Sequence, residues 1–178
     1  MAETRIQEIY RGRVVRLVQE SLTLPNGRAV TLEMVRHPGA AAIVPVDADQ
    51  NVLLLRQYRH AAGGFIYEVP AGTLQPGEAP ERCAARELVE EAGVRAGRLD
   101  LLGSILTTPG FTDEVIHLFL ARDLEPAKQA LDADEVLTVE KVPWARALQM
   151  CVQGELRDAK SICALMLADR RLGAAGVF

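Results

Sequence analysis

The chain of 178 residues has no apolar run long enough to cross a bilayer, because its longest ones are Ala40–Val46 and Val52–Leu55. The opening stretch MAETRIQEIYRGRVV has no apolar core of the kind a secretory signal needs. Both absences argue against a membrane partner and for a cytoplasmic protein. Cysteine is scarce. Cys83, Cys151 and Cys163 are scattered, odd in number and form no CxxC pair, which excludes a disulfide framework or a zinc knuckle and leaves three reduced thiols. Basic excess is also missing: 20 Lys and Arg against 24 Asp and Glu give a net charge of −4, without the positive footprint of a nucleic-acid binder. There is no internal repeat, low-complexity tract or long linker, so the length suits a single well-filled core.

The first half is rich in β-prone runs. Arg13–Leu24 and Arg28–Val35 flank Pro25-Asn26-Gly27, and Asn-Gly between such runs predicts a hairpin. Ala40–Val46 and Val52–Tyr58, joined by the polar stretch Asp47–Asn51, read as a second hairpin with buried strands. Phe65–Val69 is a short strand ended by Pro70-Ala71-Gly72. The composition then changes. From Pro80 to Ala92 the chain is rich in Ala, Glu, Arg and Leu, with Pro80 fit for a first helical turn and Gly93 for the position past its end. Leu101–Ile105, Val115–Ala121 and Glu135–Val142 read as strands, and Pro143–Gln153 and Asp158–Leu172 as helices. Trp144 is expected to pack the C-terminal helix on the core. The order of elements predicts an α+β layout with a sheet packed against helices.

The central helix carries Glu87, Glu90 and Glu91, which share one face at spacings of three and four. Three crowded carboxylates repel one another, and a hard divalent cation relieves that repulsion with oxygen ligands. Gly72, Pro76 and Gly77 form a loop that leads onto this helix, and Glu78 and Arg86 are placed to pair and fix it.

Residues Gly72 to Val94 read GTLQPGEAPERCAARELVEEAGV. This string resembles the Nudix box, with Gly72, Glu78, Arg86, Glu87, Leu88, Glu90, Glu91, Gly93 and Val94 in register and no gap. The resemblance implies the Nudix fold: a mixed β-sheet sandwiched between helices, with the box as a loop–helix–loop and a small sheet at the N-terminus. It implies that Glu87, Glu90, Glu91 and the backbone carbonyl of Ala71 bind Mg²⁺ or Mn²⁺, with Glu90 and Glu91 also serving catalysis. Gly72, Glu78, Arg86 and Gly93 take structural places in the motif. Ala79 stands at the helix N-cap where many relatives carry Asp or Ser, so the helix start is less well capped.

Flanking residues narrow the resemblance to the ADP-ribose pyrophosphatase branch. Pro109 lies fifteen positions after Val94, within Thr108-Pro109-Gly110-Phe111-Thr112-Asp113-Glu114. Glu114 falls where that branch carries an acidic residue over the metal site, which implies a general base, with Asp113 as its rival. Tyr67-Glu68-Val69-Pro70-Ala71-Gly72 resembles the lead into the box, with Glu68 as a ligand contact. In Leu54-Leu55-Arg56-Gln57-Tyr58-Arg59, the resemblance gives Arg56 as the phosphate or ribose contact, and Arg59 reads as an ordinary surface residue. Residues 1–37 are then an N-terminal hairpin region exchanged between the subunits of a homodimer, with Glu33 and Arg36 as cross-subunit substrate contacts and 38–178 as the hydrolase domain. The implied reaction is metal-dependent hydrolysis of ADP-ribose to AMP and ribose 5-phosphate. Another nucleoside diphosphate sugar such as GDP-mannose is the alternative substrate, and a non-catalytic nucleotide-sugar sensor is the alternative of another class.

Overall fold

The structure is a computed structural model that describes residues 4–174. The outer bounds of the two expected regions, residues 1 and 178, lie outside the described residues. The described residues form three sheets and three α-helices. Arg5–Arg11 (β1), Arg16–Thr23 (β2) and Ala29–Arg36 (β3) form an antiparallel N-terminal sheet in the order β1-β2-β3. The predicted turn joins β2 to β3: Gly27 stands at φ +83°, and its N–H donates to the Leu24 carbonyl at 2.9 Å. The β1 strand was not visible in the sequence. Its seven residues, RIQEIYR, are all exposed, so it has no buried side to impose an alternating pattern.

Ala40–Pro45 (β4) and Asn51–Arg59 (β5) are both strands, but they do not form the expected hairpin. Between the two runs the described residues form a single isolated β-bridge, Val46 to Val52. From there the chain leaves one sheet and enters another. Asp47 closes this corner with its Oδ1, which accepts from the Asp49 and Asn51 N–H groups at 3.0 and 2.8 Å. Because β4 is buried on both faces, its sequence carries no alternation to show which strand it pairs with. It pairs in parallel with Val115–Pro126 (β9) and antiparallel with the three-residue strand Ala71–Thr73 (β7). Val94–Leu106 (β8) completes this mixed sheet in the order β7-β4-β9-β8. Gly64–Glu68 (β6) and Leu137–Pro143 (β10) flank β5 in the second, antiparallel sheet.

The mixed sheet lies between helices, and β4 shows why. Ala40, Ala42 and Val44 join the core with Ala164, Leu165, Ala168 and Leu172 of the helix Ala159–Ala174 (α3). Ala41 and Ile43 join Cys83, Ala84, Leu88 and Ala92 of the helix Pro80–Ala92 (α1) on the other side. Successive side chains of a strand point to opposite faces, so one short strand anchors both layers. Leu88 is fully buried there, and its truncation to Ala is expected to cost about 2–5 kcal/mol. Trp144 opens the helix Trp144–Gln153 (α2); it is buried, and its indole N–H donates to Asp169 Oδ1 of α3 at 3.0 Å. This is the mixed sheet between helices that the box implied.

Candidate active site

Helix α1 spans the expected residues. Pro80 sits in its first turn, Ala79 is an N-cap with no side-chain bond, and Gly93 ends it in the left-handed region at φ +65°. Arg86, on the second turn, binds the box together. Its Nε donates to Glu78 Oε1 at 3.0 Å and its Nη2 to Glu78 Oε2 at 3.0 Å. The Glu78 carboxylate also accepts the Gln75 N–H at 2.9 Å, so the loop before the helix is tied down from two sides. The guanidinium of Arg86 holds the Glu78 carboxyl down to about 2. Arg86 Nη1 donates to Glu87 Oε1 at 2.5 Å and to Glu90 Oε2 at 2.9 Å.

Glu87 and Glu91 are buried, at 7% and 2% exposure. Burial raises the pKa of Glu87, against the pull of Arg86. It pushes Glu91 up to about 8, with Glu87 and Glu135 adding like-charge repulsion. The Ala71 N–H donates to Glu91 Oε2 at 2.7 Å and holds that carboxylate against β7. Gly72 is needed at the next position, since a Cβ there would lie 1.9 Å from Glu87 Oε1. The box thus buries two glutamates, and no protein cation pairs with Glu91 among the described residues.

These groups line a cleft of about 530 Å³ together with Gln57, Arg59 and a loop not foreseen from sequence. That loop runs from residue 127 to residue 136 and is moored on the open end of α1. The Ala127 N–H donates to the Gly93 carbonyl at 2.8 Å, the Ala130 N–H to Glu90 O at 3.0 Å, and Gln129 Nε2 to Glu91 O at 2.5 Å. The mooring brings Asp132, Asp134 and Glu135 to the cleft wall. The only sign in the sequence is the acidic run Asp132-Ala133-Asp134-Glu135, whose last residue is expected to open a strand; the structure begins that strand at Leu137 and leaves Glu135 in the loop.

The remaining expected residues fall in different places. Glu114 lines a second cavity of about 590 Å³, which shares Arg59, Ala71, Gly72 and Thr73 with the first. Its carboxylate accepts from Thr107 Oγ1 at 2.8 Å and faces His37 Nδ1 at 3.5 Å. Arg56 is exposed and outside both cavities, with its guanidinium 4.5 Å from the centroid of the Phe65 ring. Arg59, read from sequence as ordinary, lines both. Alternation decides this, since Arg56 and Arg59 are three apart and point to opposite faces of β5. Glu68 is 3% exposed and bridges Arg59 Nη2 at 2.8 Å and Lys160 Nζ at 3.1 Å. Lys160 also pairs with Asp158 at 3.0 Å and was not singled out from sequence. Glu33 is exposed on β3, and Arg36 is held by Glu20 and by Asp113 at 2.7 Å. Neither lines the two cavities within this chain.

The donor set suits a hard divalent cation: buried carboxylates, a backbone carbonyl at Ala71 and a glycine cradle. Among the described residues, no three acidic, histidine or cysteine side chains already stand in ligand geometry. Arg86 holds Glu87 and Glu90 instead, so a cation competes with that guanidinium.

A NUDIX domain model matches residues 35–165. The ADP-ribose pyrophosphatase of Bacillus subtilis (strain 168) is 40% identical over 161 residues, covering 89% of this chain and 87% of the relative. The GDP-mannose pyrophosphatase of Cronobacter sakazakii is 33% identical over 170 residues, covering 85% of each chain. Among solved structures, the crystal structure of an ADP compounds hydrolase aligns with a TM-score of 0.84 at 25% identity, covering 97% of this chain and 94% of that one.

Proposed function

Because the chain belongs to the NUDIX family and is a hydrolase of diphosphate linkages, we propose that its substrate is ADP-ribose, cleaved to AMP and ribose 5-phosphate. The observation that carries the metal-dependent part of this reading is the pair of buried carboxylates, Glu87 and Glu91, set against the Ala71–Thr73 strand, with no protein cation paired with Glu91 among the described residues. Burying such a group is costly unless a cation comes with the ligand. A bound Mg²⁺ or Mn²⁺ supplies neutralisation of the diphosphate charge and a coordinated water of lowered pKa. Glu87, Glu90, Glu91 and the Ala71 carbonyl are the groups that would hold it.

The rest of the work falls to side chains on either side of β7. Arg59 is common to both cavities and is placed to clamp phosphate oxygens, oriented by Glu68, which Lys160 shares. Two loop glutamates are placed to take the proton of the attacking water. Glu135 shares the cleft with the box carboxylates, whereas Glu114 faces the adjoining cavity, so geometry favours Glu135 as base and leaves Glu114 to orient the sugar end. The similarity to a GDP-mannose pyrophosphatase keeps that sugar nucleotide as the second reading.

We assign the assembly as a homodimer built on the N-terminal sheet, where Ile6, Ile9 and Tyr10 of β1 and Val14 and Val15 of the connection to β2 are 44–64% exposed. Among the described residues no helix is long and apolar enough to cross a membrane, and the three cysteines are free. The free thiols support a reducing, cytoplasmic setting, and the acidic net charge argues against a nucleic-acid partner.

The test is hydrolysis of ADP-ribose, GDP-mannose, NADH, diadenosine polyphosphates and 8-oxo-dGTP with Mg²⁺, read as phosphate released through a coupled phosphatase. Preference for ADP-ribose is expected. Preference for GDP-mannose replaces the substrate, and silence with intact cation binding points to a sensor.

A further inference from the structure

Gln57 sits on β5, opposite Ile66 of β6 and Leu137 of β10, in the middle of the second sheet. It is 4% exposed and lines the catalytic cleft. Its amide oxygen is wholly buried and accepts no hydrogen bond among the described residues. Buried acceptors are almost always paired, and one left unpaired costs stability. A leucine or methionine at this place in a β-strand removes that cost, so the amide oxygen is a place for a donor that the described residues do not supply.

The cleft itself narrows what arrives. Its other polar walls include six carboxylates, Glu87, Glu90, Glu91, Asp132, Asp134 and Glu135, beside the guanidiniums of Arg13, Arg59 and Arg86. A further acceptor is of no use to phosphate oxygens, which are acceptors themselves. It suits an O–H donor. A hard cation held by a few carboxylates keeps several of its waters, each a polarised donor. We propose that the Gln57 amide oxygen accepts a hydrogen bond from a water carried by the divalent cation, making Gln57 a positioning residue for the hydrated metal. The inference rests on the metal-dependent reading of the site. It asks of Gln57 what outer-shell partners do at other metal sites, which is to orient what the metal binds.

Glutamine at position 57 is replaced by an apolar residue of similar size, Gln57→Leu, with Gln57→Met as a second variant should leucine not fold. Two readouts are taken on the full chain without substrate: Mn²⁺ affinity by electron paramagnetic resonance of the free ion, and Tm with EDTA and with Mn²⁺. The expected result is an unchanged or higher Tm in EDTA, a smaller rise on adding Mn²⁺, and Mn²⁺ affinity about tenfold weaker than wild type. Wild-type Mn²⁺ affinity in the variants overturns the proposal. So does unchanged Mn²⁺ affinity with a raised KM for ADP-ribose alone, because the donor is then a sugar hydroxyl. If the wild-type protein itself binds no Mn²⁺, the metal-dependent reading falls and takes the role of Gln57 with it. Failure of Gln57 alone leaves wild-type Mn²⁺ binding intact.

Discussion

Helix α1 carries its own buried apolar face, whereas the N-terminal sheet exposes Ile6, Ile9 and Tyr10. Along α1, Leu88, Cys83 and Ala84 are fully buried while Glu87 and Glu91 are folded inward beside them. In the N-terminal sheet, β1 buries nothing, and β2 buries only Val18 and Glu20. The helix has an apolar face that fixes its position, so its carboxylates are held wherever the spacing puts them. The sheet is attached to the domain by short links: Val35 N–H to the Phe111 carbonyl at 2.7 Å, and Arg13 to Asp134 at 2.9 Å. A buried apolar face positions the carboxylates of α1, whereas the exposed apolar residues of the sheet form the surface proposed above as the dimer contact.

The sharpest way to break the first half of this contrast is Glu91→Gln. Turnover is expected to fall at least roughly a hundredfold, because a proposed ligand to the cation is lost. Stability is expected to move the other way. Burial holds Glu91 near 8 when folded, against 4.5 for the ordinary group. Between those values the folded chain keeps a proton that the unfolded chain has released. Stability without metal therefore falls as pH rises from 4.5 through about 8. Gln carries no charge to desolvate, so in EDTA at pH 8 the variant is expected to melt about 4 °C higher than wild type. An equal or lower Tm removes the claim that the carboxylate is held against its own stability.

Glu135→Gln and Glu114→Gln come next, as a pair. A general base is worth roughly 10²–10⁴ in rate, so a kcat loss of about a hundredfold is expected at Glu135, with less than tenfold at Glu114 and a rise in KM there. The reverse order returns the base to the residue that the sequence indicated. Gly72→Ala is a smaller and more structural test. The added methyl meets Glu87 Oε1 and is expected to cost about 1–3 kcal/mol in denaturant unfolding and to weaken Mn²⁺ binding. Unchanged stability means the carboxylate can swing away freely.

These tests also separate what was legible in the sequence from what was not. Local spacing carried the helix from Pro80 to Ala92, its glycine stop, and the Glu78–Arg86 pair, since all are fixed within one turn or loop. Partners brought together by non-local bonds were not legible. Glu135 reaches the cleft because loop amides find the free carbonyls at the end of α1 forty residues earlier. The sequence predicts β4 and β5 as a hairpin because both are buried runs, and buried runs do not name their neighbours. The exchange of Arg56 for Arg59 in the cleft is a matter of strand parity that becomes visible once β5 is known to begin at Asn51.

The last test addresses the sheet. Charging β1 by Ile6→Asp and Tyr10→Asp leaves every box residue untouched, and both side chains are more than half exposed in the single chain. If the sheet only decorates a self-sufficient domain, such surface changes shift stability within about 0.5 kcal/mol and leave sedimentation unchanged. If it is the dimer surface, wild type sediments at twice 19.4 kDa and the variant as a monomer, because two desolvated carboxylates oppose association. The consequence for catalysis is expected to be the mildest of all. The kcat should stay within a factor of about three because the carboxylates and Arg59 remain in place, while KM rises because Glu33, exposed in one chain, no longer reaches a neighbour's substrate. A monomeric wild-type protein with an unaltered KM in the variant would detach the sheet from function and leave the catalytic cleft complete within one chain.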